Sequence, residues 1–338
     1  MKITKIILAL ILCFATLVAA FGCARVDPEP KSKTYYVYFD TVISLADYSG
    51  KTDAEFSALC ARVEGELDKY HKLFDIYNEY DGIVNIATVN KMAGERPVEV
   101  SRELFDLLSF GASAYRITGG EVNIAMGAVL SLWHDRRTEA LEGGSAALPS
   151  EQLLAERQEH CNIDDLVLNE ENLTVELRDG EMSLDVGAVA KGYAVERIAE
   201  MLEESGVESF VINAGGNVRM IGEKPSGNGW VVGVENPVGD GYSFKLTKKD
   251  ISVVTSGAYQ RYYTVDGKNY GHIIDKDTLY PAEHHLSVTV VVDDSGLADA
   301  LSTALFSMSY EEGLALIRLV GGEAYWITKD GKLLDSNQ

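Results

Sequence analysis

Short strand patterns alternate irregularly with helix patterns through the second half of the chain, and this arrangement limits the possible folds more than any other feature. Strand-like runs separated by turn residues lie at Phe210–Ile212, Trp230–Glu235, Ile251–Val254, Tyr262–Val265, Tyr270–Ile274 and Leu286–Val292. Helix patterns interrupt them at Ala188–Ser205 and Leu297–Phe306. A doubly wound parallel sheet requires regular strand–helix alternation. The sequence therefore predicts an α+β fold with mainly antiparallel sheets and packed helices.

The first half contains longer helix patterns and fewer strand patterns. Apolar residues recur at helical spacing over Asp53–Leu73, and Thr52 or Asp53 can cap that helix. A second helix is predicted over Ser101–Thr118, with Ser101 as its cap and Gly119–Gly120 as its end. The remaining runs predict strands at Thr34–Asp47 and Met182–Val186, and a hairpin formed by Leu166–Leu168 and Leu173–Leu177.

The N-terminus has the layout of a secretory signal. Lys2 and Lys5 precede an apolar run from Ile6 to Ala20, and small residues lead to Cys23. This pattern resembles a bacterial lipoprotein signal. It predicts removal of residues 1–22, lipidation of Cys23, a polar tether over 23–34 and anchoring at the extracytoplasmic face of the cell membrane. The alternative is a signal that releases the protein freely, with Cys23 incidental.

Charge and cysteine content exclude several classes of protein. The formal net charge is −22 and becomes two units more negative without Lys2 and Lys5, so the surface repels nucleic acid and anionic headgroups. Only Cys60 and Cys161 remain beyond the N-terminal segment, which is too few for a disulfide framework, and no CxxC or Cys/His metal spacing occurs. The sequence leaves open whether these two cysteines pair.

The segment LDVGAVAKGYAVERI places a carboxylate, a glycine and a lysine at a strand-to-helix junction. Asp185 and the nearby backbone carbonyls are hard oxygen donors, and Lys191 lies near a helix N-terminus, where anions are favoured. These features suit a metal-assisted phosphate ligand. The alternative is a helix cap followed by a solvated lysine.

A second candidate lies in DDSGLADALSTALF, where Asp299 and Thr303 are four residues apart on one helix face. A carboxylate and a hydroxyl among buried leucines are explained if they coordinate Mg²⁺. The alternative is that Asp299 is a late cap and Thr303 bonds back to the helix.

A third candidate is His272, in the strand-like run Tyr270–Ile274. A histidine there is more often structural, although its ordinary pKa makes it a candidate base.

Seven segments in order resemble the ApbE family of FAD:protein FMN transferases. They are LFDIYNEYDG, VNIAMGAVLSLW, LDVGAVAKGYAVE, VINAGGNV, TSGAYQRYY, HIIDKDTLYPA and ADALSTALF. The resemblance runs from about Tyr35 to the C-terminus and implies one ApbE-like catalytic unit over residues 35–338. It also implies a reaction in which FMN is transferred from FAD, with Mg²⁺, to a threonine or serine hydroxyl of a target protein, releasing AMP.

The resemblance assigns roles to individual residues. His272 matches the catalytic histidine, while Ala188, Asp299 and Thr303 match metal ligands. The positions that match contacts to the flavin nucleotide are Tyr77, Glu121, Val122, Asn123, Asp185, Lys191 and Ile273. The implied acceptors are membrane-bound subunits of ion-pumping respiratory complexes or exported flavoproteins.

Three departures from the family pattern stand out. Phe39-Asp40-Thr41 replaces a common Met-Gly-Thr, Asn123 replaces an aspartate, and HIIDKDTLYP replaces HIIDPxTGxP. None removes a metal ligand, so activity is still expected. Two other functions remain open: hydrolysis of FAD to FMN and AMP at the same site, and binding of FAD without turnover.

Overall fold

The computed structural model describes residues 27–259 and 261–337, and an antiparallel sheet forms its centre. The strands are β1 (Lys31–Tyr35), β2 (Ile43–Asp47), β3 (Val98–Glu99), β4 (Leu166–Asn169), β5 (Thr174–Leu177), β6 (Ser209–Ala214), β7 (Asn217–Gly222), β8 (Trp230–Glu235), β9 (Tyr242–Lys248), β10 (Ile251–Gly257), β11 (Tyr262–Val265), β12 (Lys268–Gly271), β13 (His285–Val292), β14 (Glu323–Thr328) and β15 (Leu333–Asp335). Eight of them form the main sheet in the order β1-β2-β6-β7-β10-β13-β14-β15. Its pairs are antiparallel, which confirms the predicted α+β class.

Eight α-helices pack around the sheets in the described part of the chain. They are α1 (Asp53–Leu73), α2 (Ile86–Lys91), α3 (Arg102–Ile117), α4 (Gly127–Leu141), α5 (Glu151–Gln158), α6 (Ala190–Glu204), α7 (Ser295–Ser307) and α8 (Tyr310–Val320). Thr52 caps α1 in a capping box with Glu55, and Ser101 caps α3. The predicted bounds of α1 are confirmed, and those of α3 differ by one residue at each end.

Both faces of the main sheet are covered. Helix α7 packs on β10 and β13, with Ala298, Leu301 and Leu305 buried against strand residues such as Val290. Helix α6 packs on β6, β7 and α7. The hairpin β8–β9 covers the other face, where a smaller apolar cluster forms. Burial of this apolar surface is the main stabilising contribution that the sequence supplies, because Cys60 and Cys161 are free thiols.

The remaining strands form three small sheets. Strands β3, β5 and β4 form one, which includes the predicted hairpin, and β8–β9 and β11–β12 form two-stranded ribbons. In the main sheet, the NAGGN segment is a two-residue turn between β6 and β7. Gly215 and Gly216 have φ values of 57° and 88° there. A Cβ on Gly215 would lie 2.0 Å from Thr41 Oγ1, so this position requires glycine.

Three strand predictions are corrected. Thr34–Asp47 is not one strand, because β1 ends at Tyr35 and the chain turns through Phe39 and Asp40, both with positive φ, before β2. Met182–Val186 is an extended segment, in which Ser183 makes an isolated parallel bridge to Met126. The run Tyr270–Ile274 is divided, since β12 ends at Gly271 and Ile274 pairs separately with Pro281.

Residues 1–26, which include the predicted signal and Cys23, lie outside the described residues. Strand β1 begins at Lys31, so the last residues of the segment predicted as a tether pair with β2. Within residues 27–259 and 261–337, no helix is both long and apolar enough to cross a membrane.

Candidate functional site

A buried carboxylate joins α6 to α7. Asp299 is 5% exposed, and its Oδ1 lies 3.0 Å from Lys191 Nζ. Its Oδ2 accepts a hydrogen bond of 2.8 Å from the backbone N–H of Gly192. The N-cap of α7 is Asp294, whose carboxylate accepts from Leu297 N. Asp299 is therefore not a cap, and Lys191 is not a solvated lysine.

Gly192 makes this arrangement possible. A Cβ at that position would lie 2.4 Å from the Ser295 carbonyl oxygen and 2.5 Å from Asp299 Cβ. Such distances are too short for any side chain, so α6 can approach α7 this closely only with glycine. The same close approach places the Gly192 N–H within bonding distance of the carboxylate.

The two other predicted metal ligands lie in α7 and in the turn before α6. Thr303 follows Asp299 by four residues, and its Oγ1 lies 3.5 Å from Ser256 Oγ on β10. Ser302, and not Thr303, donates its hydroxyl to the Asp299 carbonyl. Ala188 is in the turn that leads into α6. One carboxylate, one hydroxyl and one carbonyl are hard ligands of the kind that Mg²⁺ prefers. The described residues contain no group of three or more His, Cys, Asp or Glu side chains suited to a metal.

Three polar side chains lie in contact one after another: Asp185, His134 and Tyr77. Asp185 accepts from Gly187 N at 2.8 Å, and its Oδ2 lies 3.8 Å from His134 Nε2. His134 Nδ1 is 2.8 Å from the hydroxyl of Tyr77. Burial lowers the pKa of His134, while the charge of Asp185 opposes this shift. Tyr77 and Asp185, which the sequence analysis placed at one nucleotide site, are therefore joined through His134.

His272 lies just beyond β12, in a bend. Its Nδ1 is 3.2 Å from the carbonyl oxygen of Arg261. Because a carbonyl only accepts, Nδ1 carries the proton and Nε2 is left with a free lone pair. Burial lowers the pKa of His272 to about 4, and the neighbouring Arg261 adds to the shift. The imidazole is therefore neutral at pH 7.

An aromatic cluster holds this segment against α4. Trp133 is buried and donates from Nε1 to the Leu279 carbonyl at 3.0 Å. Its ring packs against those of Tyr263, Tyr270 and Tyr280. These contacts fix the β11–β12 hairpin and the following turn beside the helix that carries His134.

The other predicted nucleotide contacts are two polar residues with partners of their own and two buried apolar residues. Glu121 Oε1 is 3.3 Å from Lys276 Nζ, and burial raises the pKa of Glu121 while Lys276 opposes the rise. Asn123 donates to the Cys161 carbonyl and accepts from Ala125 N. Val122 and Ile273 are buried apolar residues.

His134, Arg261 and Ser256 were not predicted as site residues from the sequence. In the run LSLWHDRR, His134 directly follows a tryptophan, but no spacing or residue type there indicates a role for it. Ser256 and Arg261 both lie in the quoted segment TSGAYQRYY, but neither their spacing nor their type indicates a role.

The contact between α6 and α7 holds a carboxylate, a hydroxyl and a lysine, and His134 lies beside Asp185 just before α6. Groups of these kinds handle phosphate esters with a divalent cation. Residues 39–326 match the family model described as the ApbE family. A FAD:protein FMN transferase from Klebsiella pneumoniae (strain 342) is 33% identical over 284 residues, covering 83% of this chain and 85% of the relative. One from Treponema pallidum (strain Nichols) is 31% identical over 329 residues, covering 92% and 88%.

The fold gives the same result. The crystal structure of the ApbE protein from Thermotoga maritima superposes with a TM-score of 0.80 at 26% identity, covering 90% of this chain and 96% of that chain. The chain therefore belongs to the ApbE family, as its motifs predicted.

Proposed function

We propose that this protein transfers FMN from FAD to a threonine or serine hydroxyl of a target protein and releases AMP, in a Mg²⁺-dependent reaction. The observation that carries the proposal is the buried Asp299 carboxylate, held by Lys191 and the Gly192 N–H with Thr303 one turn away. A buried carboxylate costs free energy unless it is paired. Retaining one at the contact between α6 and α7, with a hydroxyl one helical turn away, fits a metal-dependent site better than a purely structural one.

Ala188, Asp299 and Thr303 would hold Mg²⁺, and the bound ion would neutralise negative charge on the phosphate oxygens. Lys191 Nζ lies 3.0 Å from Asp299 Oδ1 and adds a positive charge next to these residues. The side chains of Tyr77, Glu121, Asn123 and Asp185, together with buried Val122 and Ile273, would orient the flavin nucleotide.

His272 would accept the proton of the attacking hydroxyl. The threonine oxygen forms a bond to the FMN-side phosphorus, the bridging P–O bond breaks, and its electron pair leaves with AMP. The hydroxyl proton passes to Nε2 of His272, which has a free lone pair because Nδ1 faces the Arg261 carbonyl. General-base catalysis of this type contributes about 10²- to 10⁴-fold in rate.

The test uses purified protein with FAD and Mg²⁺, with and without an acceptor that contains a candidate threonine motif. Transfer predicts AMP release that depends on the acceptor, and acceptor fluorescence that survives a denaturing gel. AMP release without acceptor labelling would instead show FAD hydrolysis. FAD binding without AMP would show a protein that binds the nucleotide without turnover, and either result contradicts the proposal.

We propose further that Cys23 is lipidated and that the enzyme is anchored at the extracytoplasmic face of a bacterial membrane. Membrane-bound respiratory subunits or exported flavoproteins would then be its acceptors. The basis is the signal pattern of residues 1–22 followed by Cys23. Labelling cells with a fatty-acid probe tests the anchor: wild-type protein should incorporate it and a Cys23→Ala variant should not. A wild-type protein that is released from cells without label would contradict the anchor.

A further inference from the structure

Arg137 on α4 is a half-buried arginine without a bonded partner among residues 27–259 and 261–337. Its neighbour Arg136 is different, because it forms an ion pair of 2.9 Å with Glu139. The chain has 52 acidic residues against 30 lysines and arginines, so acidic partners for a cation are abundant. An arginine that remains unpaired in such a protein is available for a ligand.

Helix geometry directs Arg137 toward the candidate site. It follows His134 by three residues, so the two side chains lie on the same face of α4. His134 contacts Tyr77 and approaches Asp185 on that face. The charge of Arg137 also contributes to the lowered pKa of His272, after burial and Arg261. Arg137 therefore faces the space between the Asp185 loop and His272.

The other cations near this space are already engaged. Lys191 is paired with Asp299 at 3.0 Å. Arg261 donates from Nη2 to the Asp40 carbonyl at 2.7 Å, which uses part of its donor capacity. A guanidinium offers two parallel N–H donors that match phosphate oxygens well. Arg137 has these donors free.

We infer that Arg137 binds the pyrophosphate oxygens of FAD and so selects nucleotide flavins over flavins without phosphate. The inference rests on the proposed function, which identifies FAD as the substrate, and adds a residue that the family motifs did not assign. In an enzyme with this net charge, a local cation is required to offset repulsion of the ligand's phosphates.

The test compares binding of FAD and of riboflavin, which has no phosphate, by flavin fluorescence without acceptor. Arg137→Ala should weaken FAD binding by about 10- to 100-fold and leave riboflavin binding unchanged. Arg137→Lys should recover part of the loss, since lysine keeps the charge but not the paired donors. Arg136→Ala is the matched control on the same helix and should bind FAD like wild type.

Several outcomes would overturn the inference. Equal losses for FAD and riboflavin would show that Arg137 acts through packing, and unchanged FAD binding would show that it does not contact the phosphates. If only the KM for the acceptor rises, Arg137 recognises an acidic group of the acceptor instead. Wild-type protein that binds FAD but labels no acceptor would refute the proposed transfer, while the binding comparison would still decide the role of Arg137. If wild type binds no FAD, both proposals fail.

Discussion

The contact between α6 and α7 contains two equally buried carboxylates whose paired cations differ in exposure to solvent. Glu196 pairs with Arg219 at 3.3 Å and accepts from Ser295 N at 2.6 Å. Asp299 pairs with Lys191 at 3.0 Å and accepts from Gly192 N at 2.8 Å. Each therefore has one cation and one backbone N–H.

The difference lies in the cation. The Arg219 side chain is 8% exposed and also contacts Glu203 and Asp250, so it is fixed inside a network. The Lys191 side chain is 25% exposed and lies beside the Asp185–Ala188 loop. We therefore call Glu196–Arg219 the closed pair, and we expect it to stabilise the fold. We call Asp299–Lys191 the open pair, and we expect its carboxylate to exchange Lys191 for a metal ion. Variants at the two pairs test this distinction.

The largest effect is expected at the open pair. Asp299→Asn should reduce transfer by about 1,000-fold or more, because an amide oxygen holds a divalent cation far less well than a carboxylate. The measurement is AMP release across a Mg²⁺ titration, with circular dichroism as the check on folding. Asp294→Asn is the matched control, since asparagine caps a helix about as well as aspartate. If the Asp299→Asn variant releases AMP as fast as wild type at low Mg²⁺, the metal site is refuted.

At the closed pair, Arg219→Met should cost about 3–5 kcal/mol of unfolding free energy, because it leaves Glu196 buried without its cation. Urea unfolding measures this loss. Lys249→Met is the control, since its ion pair with Glu223 is half exposed and should contribute no more than about 1 kcal/mol. A loss of activity without a loss of stability would contradict a structural role for Arg219.

The pH dependence of the same variant sharpens the result. Burial already raises the pKa of Glu196, and Arg219 opposes that rise. Without Arg219 the folded-state pKa should rise further above the unfolded value, so the folded state binds more protons in that interval. The Arg219→Met variant should therefore regain stability as the pH falls from 7 toward about 4.5. Urea midpoints across this range should show a larger recovery in the variant than in wild type.

A smaller effect is expected from Gly192→Ala, which affects both pairs at once. The added methyl would meet the Ser295 carbonyl and Asp299 Cβ, so the helices must separate. We expect a cost of about 1–3 kcal/mol and reduced transfer. Gly206→Ala does not provide a matched control, because φ is 76° there, whereas Gly65→Ala in α1 meets no atoms and should be neutral or stabilising. A fully active, fully stable Gly192→Ala variant would contradict the close approach.

The smallest effect is expected from Lys191→Met. The loss of unfolding free energy should be about 1 kcal/mol, because the Lys191 side chain is 25% exposed and Asp299 keeps its bond to Gly192 N. The variant also removes a competitor for the carboxylate, so added Mg²⁺ should raise its melting temperature more than that of wild type. An equal rise in both proteins would show that Lys191 and the metal do not compete.

The two pairs also mark the limit of what the sequence predicts. Helix α1 was predicted to the residue, because a long helical period and a capping box give the same bounds. Asp299 and Thr303 were found together because helix geometry fixes their relation. The partner of Asp299 was not predictable, since Lys191 is 108 residues away and only the tertiary fold brings it near.

The strand predictions that were wrong have local causes. Alternation of apolar and polar residues continues past Tyr35, so nothing in the pattern marks the turn at Phe39 and Asp40, which have left-handed backbone conformations without being glycine. The run Met182–Val186 is apolar enough for a strand, but an extended buried segment has the same composition. The roles assigned to site residues from the family motifs stay predictions.

The start of β1 at Lys31 limits how far the folded domain could lie from a membrane if Cys23 carries a lipid. Seven residues lie between Cys23 and Lys31, so eight Cα steps span at most about 26–29 Å, and the hydrogen bond from Ser226 N to Asp27 Oδ1 shortens the free length further. The loop after β1 contacts Arg261 through the Asp40 carbonyl, so the same strand that receives the tether lies next to the site. A lipid on Cys23 would therefore confine flavin transfer to hydroxyl groups close to the membrane surface, and a threonine on a domain held far above the bilayer would stay beyond reach.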